Sequence, residues 1–179
     1  NSTNNIATSG AFKTTLSGTN DAMLVKFTPL GQRIWGTYYG GSASDGGEDC
    51  AIDFSNNIYL AGNTYSPDGI AFNGYQNSYG GGSTDGFLVK FDSAGNRLWG
   101  TYYGGNGDDG ITSCSTDELS HVFFGGSTNS TVNIVSSGAY QTLPGVLGDG
   151  FLAEFDPSGS RIWGTYSGGD TNDGGYGCK

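Results

Sequence analysis

Apolar residues along this chain come in short runs with a two-residue rhythm. In Gly86-Phe87-Leu88-Val89-Lys90-Phe91, the side chains of Phe87, Val89 and Phe91 fall on one face and Leu88 on the other. In Arg97-Leu98-Trp99-Gly100-Thr101-Tyr102-Tyr103, the neighbours Leu98 and Trp99 point opposite ways. Runs of β-branched and aromatic residues bounded by Asn, Asp, Ser and Gly clusters mark strands. The pattern predicts strands over residues 49–53, 58–62, 86–91 and 97–103. Short turns at 54–57 and 92–96 and a long connection over 63–84 join them. No window holds a helical period, and no apolar run is long enough to span a membrane, so membrane insertion is not expected. Strands apolar on both faces need cover on both faces. Without helices, that cover is other sheets.

The whole pattern recurs. Arg33-Ile34-Trp35-Gly36-Thr37-Tyr38-Tyr39 returns as Arg97-Leu98-Trp99-Gly100-Thr101-Tyr102-Tyr103 and as Arg161-Ile162-Trp163-Gly164-Thr165-Tyr166-Ser167, each 64 residues on. A fixed period of this size means one supersecondary unit stacked on copies of itself. Gly31, Gly95 and Gly159 share one turn slot, where a positive φ is expected to close a type I turn with a bulge. Four antiparallel strands per unit, stacked face to face, make a β-propeller blade. The fold class is therefore all-β. Residues 1–45 read as half a blade, 46–109 and 110–173 as full blades, and 174–179 as the start of the next. That is about two and a half blades, whereas a closed ring takes roughly four to eight. The expected partners in closure are remaining blades of the same chain; the alternative is several copies completing one ring.

Composition narrows the function. Gly (34), Tyr (11), Phe (10) and Trp (3) are abundant among few charges. The net charge of −10 repels a phosphate backbone, so nucleic acid is not an expected partner. Cys50, Cys114 and Cys178 also keep the 64-residue spacing. Equivalent positions in stacked units lie too far apart for a disulfide, and no Cys-x-x-Cys or Cys/His cluster suggests zinc. All three are expected to be free, buried fillers.

The motifs Gly104-Gly105 with Asp109, Asp53 with Asn57, Gly62 with Thr64, Ala139-Tyr140-Gln141, and Asp85 with Phe87, Phe91, Gly95, Trp99 and Tyr102 resemble the SBBP β-propeller repeats of secreted bacterial proteins. The resemblance covers essentially the whole chain. It implies a seven-bladed ring, a secreted or cell-surface protein of Bacteroidota, and export by the type IX route. It carries no shared catalytic activity. The cysteines depart from it, standing where the family has a small apolar residue.

Second-to-third and blade-to-blade connections share one face, and long loops on a rigid scaffold are where function usually sits. The variable loop aromatics Tyr65, Phe72, Tyr75 and Tyr79 are the candidate ligand contacts, for a sugar by stacking. Trp35, Trp99 and Trp163 recur mid-strand and are expected in the core. Asp45, Asp109 and Asp173 recur in the blade-to-blade loop, expected over 42–49, 106–113 and 170–177. They are the candidate Ca²⁺ ligands, set against a role in fixing the turn through backbone N–H groups. No other cofactor is expected. Asp21, Asp85 and Asp149 are expected to tie loops to the sheet. His121, the single histidine, aligns with Asn57 in a tight turn, a poor place for a triad base. Asn1-Ser2-Thr3 and Asn129-Ser130-Thr131 are N-glycosylation sequons, and Asp92-Ser93-Ala94 resembles an O-glycosylation motif of Bacteroidota, marking Asn129 and Ser93. The expected function is non-enzymatic: adhesion, ligand display or scaffolding at a cell surface, with a protein or glycan ligand. Alternatives are a glycan-binding module, and part of an enzyme whose site lies in blades not present.

Overall fold

A computed structural model describes residues 5–175 and 177–178. Among them all regular structure is β. The strands are β1 (Ala22–Phe27), β2 (Arg33–Tyr39), β3 (Asp45–Ile52), β4 (Ile58–Thr64), β5 (Asp85–Phe91), β6 (Arg97–Tyr103), β7 (Asp109–Thr116), β8 (Val122–Thr128), β9 (Asp149–Phe155) and β10 (Arg161–Ser167). β1 pairs with β2; β3 to β6 and β7 to β10 each form a four-stranded antiparallel meander. The repeating four-stranded sheets are those of propeller blades.

Turn chemistry matches the sequence. Gly31, Gly95 and Gly159 have φ of 76°, 89° and 89°, and the register shifts just beside each turn, at Lys26/Phe27, Lys90/Phe91 and Arg161/Trp163. The first strand of each full sheet is longer than expected. β3 begins at Asp45, not near 49, because Gly46 and Gly47 pair with Asn63 and Gly62 on β4. A Cβ on Gly62 would collide with the Gly46 carbonyl and the Phe87 ring. Gly62 is thus a strand residue where close approach demands glycine, and Gly46 and Gly47, which as sequence read as loop, are paired strand residues too. Asp45 and Asp109 consequently open strands and do not lie in loops.

The long connections are not free loops either. Phe72 exchanges two 2.8 Å backbone hydrogen bonds with Gly100, and the Tyr102 N–H donates to the Gln76 carbonyl at 3.1 Å. The same pairing ties residues 8 and 13 to β2, and 136 and 141 to β10. Each connection therefore covers the outer edge of its own sheet, which would otherwise offer unpaired backbone groups to other chains.

The core lies between sheets. One cluster joins Tyr59, Leu88, Trp99 and Tyr103 to Ile111, Phe124, Phe151 and Phe155. The other joins Leu24, Trp35 and Tyr39 to Leu60, Ile70, Phe87 and Phe91. Tyr39 and Tyr103 each reach across a boundary, donating to the carbonyls of Ile70 (2.7 Å) and Ile134 (2.6 Å). Trp35 and Trp99 are buried, as expected. Each indole N–H donates at 3.1 Å to the next sheet's turn, at the carbonyls of Ser93 and Pro157. Their rings lie where a Cβ of Gly95 or Gly159 would go.

The cysteines correct an expectation. Cys114 is buried, Cys178 half-buried and Cys50 exposed, all as free thiols. Cys114 on β7 is roofed by β3, whose Asp49 accepts from the Cys114 N–H at 3.0 Å, whereas away from β7 the strand β3 has only the two-stranded sheet beside it. Its Gly47, Glu48, Cys50 and Ile52 are left exposed.

Candidate functional site

The recurring aspartates form a clasp at each sheet boundary. Asp45 accepts hydrogen bonds from Thr64 Oγ1, from Ser66 Oγ at 2.9 Å and from the Gly41 N–H at 2.8 Å. Asp109 accepts from Thr128 Oγ1, from Ser130 Oγ at 2.6 Å and from the Gly105 N–H at 2.8 Å. Burial pushes both carboxyls above the usual range, against the pull of these donors. Asp173 accepts from the Gly169 N–H at 2.7 Å. The three candidate Ca²⁺ ligands thus serve separate boundaries and are not brought together, and protein donors already engage both oxygens of Asp45 and Asp109.

A second aspartate faces each clasp. Asp21 is paired with Lys13 Nζ at 2.6 Å. In the later copies a glutamine, Gln76 or Gln141, takes the place of Lys13, its N–H donating to the hydroxyl of the β-strand threonine as Lys13's does. Asp85 accepts from the Gly80 N–H at 2.6 Å, and Asp149 from the Gly145 N–H at 2.8 Å and Gln141 Nε2 at 3.0 Å. Both ties hold a loop to the sheet, yet the buried Oδ1 atoms of Asp85 and Asp149 have no hydrogen-bond partner. Burial, with Asp109 across Gly104 adding to it, pushes Asp85 up to about 7.

On the long-connection face, a cleft of about 320 Å³ opens between the second and third sheets, lined by Asn63, Tyr65, Thr84, Asp108, Ser127 and Asn129 among others. Of the four candidate aromatics, Tyr65 alone lines it. Phe72 lies under the Arg97 guanidinium, 4.6 Å from its ring centre. Tyr75 meets the next sheet, edge-on to Phe155 and 4.7 Å under Arg161. Tyr79 packs edge-on against Tyr102. These three are spread over separate packing contacts and do not converge on one surface. The sequence could not tell a variable loop aromatic from one that pins a boundary.

Of the modification candidates, Ser93 and Asn129 are exposed. The Ser93 carbonyl is held by Trp35 and Lys26, and Thr131 of the sequon binds Asn106. Asn1-Ser2-Thr3 lies outside the described residues.

One set of equivalent positions changes its chemistry. In the second sheet the buried Asp53 and Lys90 are joined by the half-buried Asn57: Asp53 Oδ2 accepts from Asn57 Nδ2 at 2.9 Å and pairs with Lys90 Nζ at 3.1 Å. The same positions in the third sheet hold Asp117, His121 and Glu154. His121 Nδ1 stands 2.7 Å from Glu154 Oε1 and 3.7 Å from Asp117 Oδ2. The sequence already carried this signal, in two changes exactly one repeat from Asn57 and Lys90, but Glu154 stands out only when the two strands are known to pair as Tyr59↔Lys90 and Phe123↔Glu154.

No family model matches the chain. A curated relative, an uncharacterized WD repeat-containing protein, L264, of Acanthamoeba polyphaga mimivirus, is 28% identical over 121 residues, 64% of this chain. The chain spans only 8% of that relative's length. The match agrees with a repeat propeller-like protein and does not extend to the SBBP family or to Bacteroidota.

Proposed function

We propose that this chain is a non-enzymatic propeller scaffold that presents its long-connection face to a protein partner, as part of a secreted or cell-surface protein. One observation carries the reading. The residues that recur in every copy are consumed in holding sheets together, and the exposed residues around the cleft, Tyr65, Asp108 and Asn129, are ones that vary. Variable side chains on a rigid frame are the usual arrangement of a recognition surface. The likeness to a WD repeat-containing protein supports the scaffold role. Surface location and adhesion rest on the SBBP resemblance. A sugar ligand would use Tyr65 by stacking.

A photo-crosslinking side chain at Tyr65, set against one at Leu119 on the short-turn face, tests this in the intact protein on its own cells. Capture of a protein at Tyr65 and not at Leu119 is expected. Capture at Leu119 alone, or at both alike, would overturn the face assignment, and saturable binding to a glycan array lost in Tyr65→Ala would replace the protein partner by a sugar.

A further inference from the structure

We propose that Asp117, His121 and Glu154 form a binding site for one divalent first-row transition-metal ion, of which Zn²⁺ is the probe. Their ligand atoms all lie within 4.8 Å of one another. The two separations from His121 Nδ1, 2.7 and 3.7 Å, bracket the roughly 3.3 Å between tetrahedral donors bonded at about 2.0–2.1 Å.

Each carboxylate is already aimed. Asp117 Oδ1 is held by the N–H groups of Leu119 (2.9 Å) and His121 (2.8 Å), which leaves Oδ2 turned toward the imidazole. Glu154 Oε2 is held by the Trp163 indole N–H, which leaves Oε1 for the same point. Hydrogen bonds to the far oxygen of a ligating carboxylate are what orient it for a metal. The donors sit on a tight turn and on β9, one strand over, so the sheet fixes their spacing.

The repeat supplies the independent argument. The second sheet's group is electrically balanced, Asp53 against Lys90. In the third sheet Lys90 is replaced by Glu154 and Asn57 by His121. The fixed cation is lost and a second carboxylate gained, so two carboxylates now face an imidazole where the sister sheet has an ammonium group. A divalent ion restores the balance that Lys90 supplies in the sister sheet. An imidazole with two carboxylates suits zinc, iron or nickel, while Mg²⁺ and Ca²⁺ take all-oxygen sets. The three side chains are half-buried, 14 to 34% exposed, so the ion keeps positions open to solvent or to a further ligand.

Because His121 is the single histidine, its imidazole nitrogen resonances report the site without interference from thiol-bound metal. Titrating the full chain with Zn²⁺ is expected to move the Nδ1 resonance, saturating at one equivalent, with no response to Mg²⁺ or Ca²⁺. Calorimetry is expected to lose that equivalent in Glu154→Lys, which restores the second sheet's residue. In His121→Asn it is expected to weaken at least about tenfold, since even outer-shell partners cost that much. The second variant keeps the test alive if the first does not fold. An imidazole that titrates with protons but ignores Zn²⁺, or binding unchanged in both variants, would overturn the site and leave an ion pair only.

Discussion

The boundary between the second and third sheets and the outer flank of the third are built from nearly the same residues, and they end up as opposites. At the boundary Trp99 is 4% exposed, its N–H on Pro157 and its ring on Gly159. On the flank Trp163 is half-exposed and turns its N–H back to Glu154 of its own sheet. Tyr75 is pinned by Arg161 at 42% exposure, whereas Tyr140, its counterpart, is 91% exposed. The tyrosine that crosses the boundary at 39 and 103 is Ser167 on the flank. Burial in this fold is therefore a property of the boundary and not of the blade. A strand's own pattern creates an apolar face, and only a second copy turns it into core.

The largest test of that contrast is a pair of truncations. Trp99→Ala is expected to cost about 3–5 kcal/mol, the range for a large buried side chain. Trp163→Ala is expected to cost about 1 kcal/mol or less, as for a surface change. Denaturant unfolding of the two variants reads both, and equal losses would break the comparison.

The two aspartate boundaries sharpen it next. Asp21 has Lys13 as a partner; Asp85 has none for Oδ1. In the folded chain Asp85 keeps its proton up to about pH 7, while the unfolded chain releases it near the ordinary 3.8. The native state then binds more protons between those values, so stability falls as pH rises through this window, by at most about 1.4 kcal/mol per pH unit. Burial moves Asp45 and Asp109 the same way. Asp53, Asp92 and Asp156 are held low by turn donors and weaken the fold only in stronger acid. Asp85→Asn is expected to flatten the window and to gain about 2 kcal/mol at pH 8. Gln76→Lys, which installs the first boundary's cation, should act in the same direction. A pH series of unfolding curves checks both.

A smaller effect separates conformation from contact in the turn glycines. Gly31 and Gly159 both have positive φ, but a Cβ at Gly31 meets nothing and one at Gly159 meets the Trp99 ring at 2.8 Å. Gly31→Ala should cost about 1 kcal/mol from backbone strain. Gly159→Ala should exceed it by about 1 kcal/mol or more from overpacking. Equal melting shifts would mean that the ring contact contributes nothing.

The sheets were legible because alternation, turn glycines and the 64-residue echo all pointed to one unit. What misled was glycine and loop chemistry. Gly46-Gly47 reads as turn but is strand, because both residues pair with β4, opposite Asn63 and Gly62. The connection around Phe72 and Tyr75 reads as a free loop but lies along a strand edge. Cys50 and Cys114 are indistinguishable as sequence; their fates differ through the cover over each strand, which no local pattern encodes. The His121 cluster is half legible: His121 stands in place of Asn57 one repeat on, but the matching change at Glu154 shows only through the strand register.

That pair of cysteines gives the most direct measurement. Both are free and occupy one repeat position, but Cys50 is exposed while Cys114 is buried, and burial pushes the Cys114 thiol well above its ordinary range. Labelling of the native protein with a neutral thiol reagent, followed by mass mapping, compares them within one molecule. If stacking creates the core, Cys50 reacts in the folded state and Cys114 only at the rate of opening of the boundary, accelerated by Trp99→Ala but not by Trp163→Ala. Labelling of Cys50 and Cys114 at equal rates would contradict the claim that a neighbouring sheet, and not the blade itself, buries these residues.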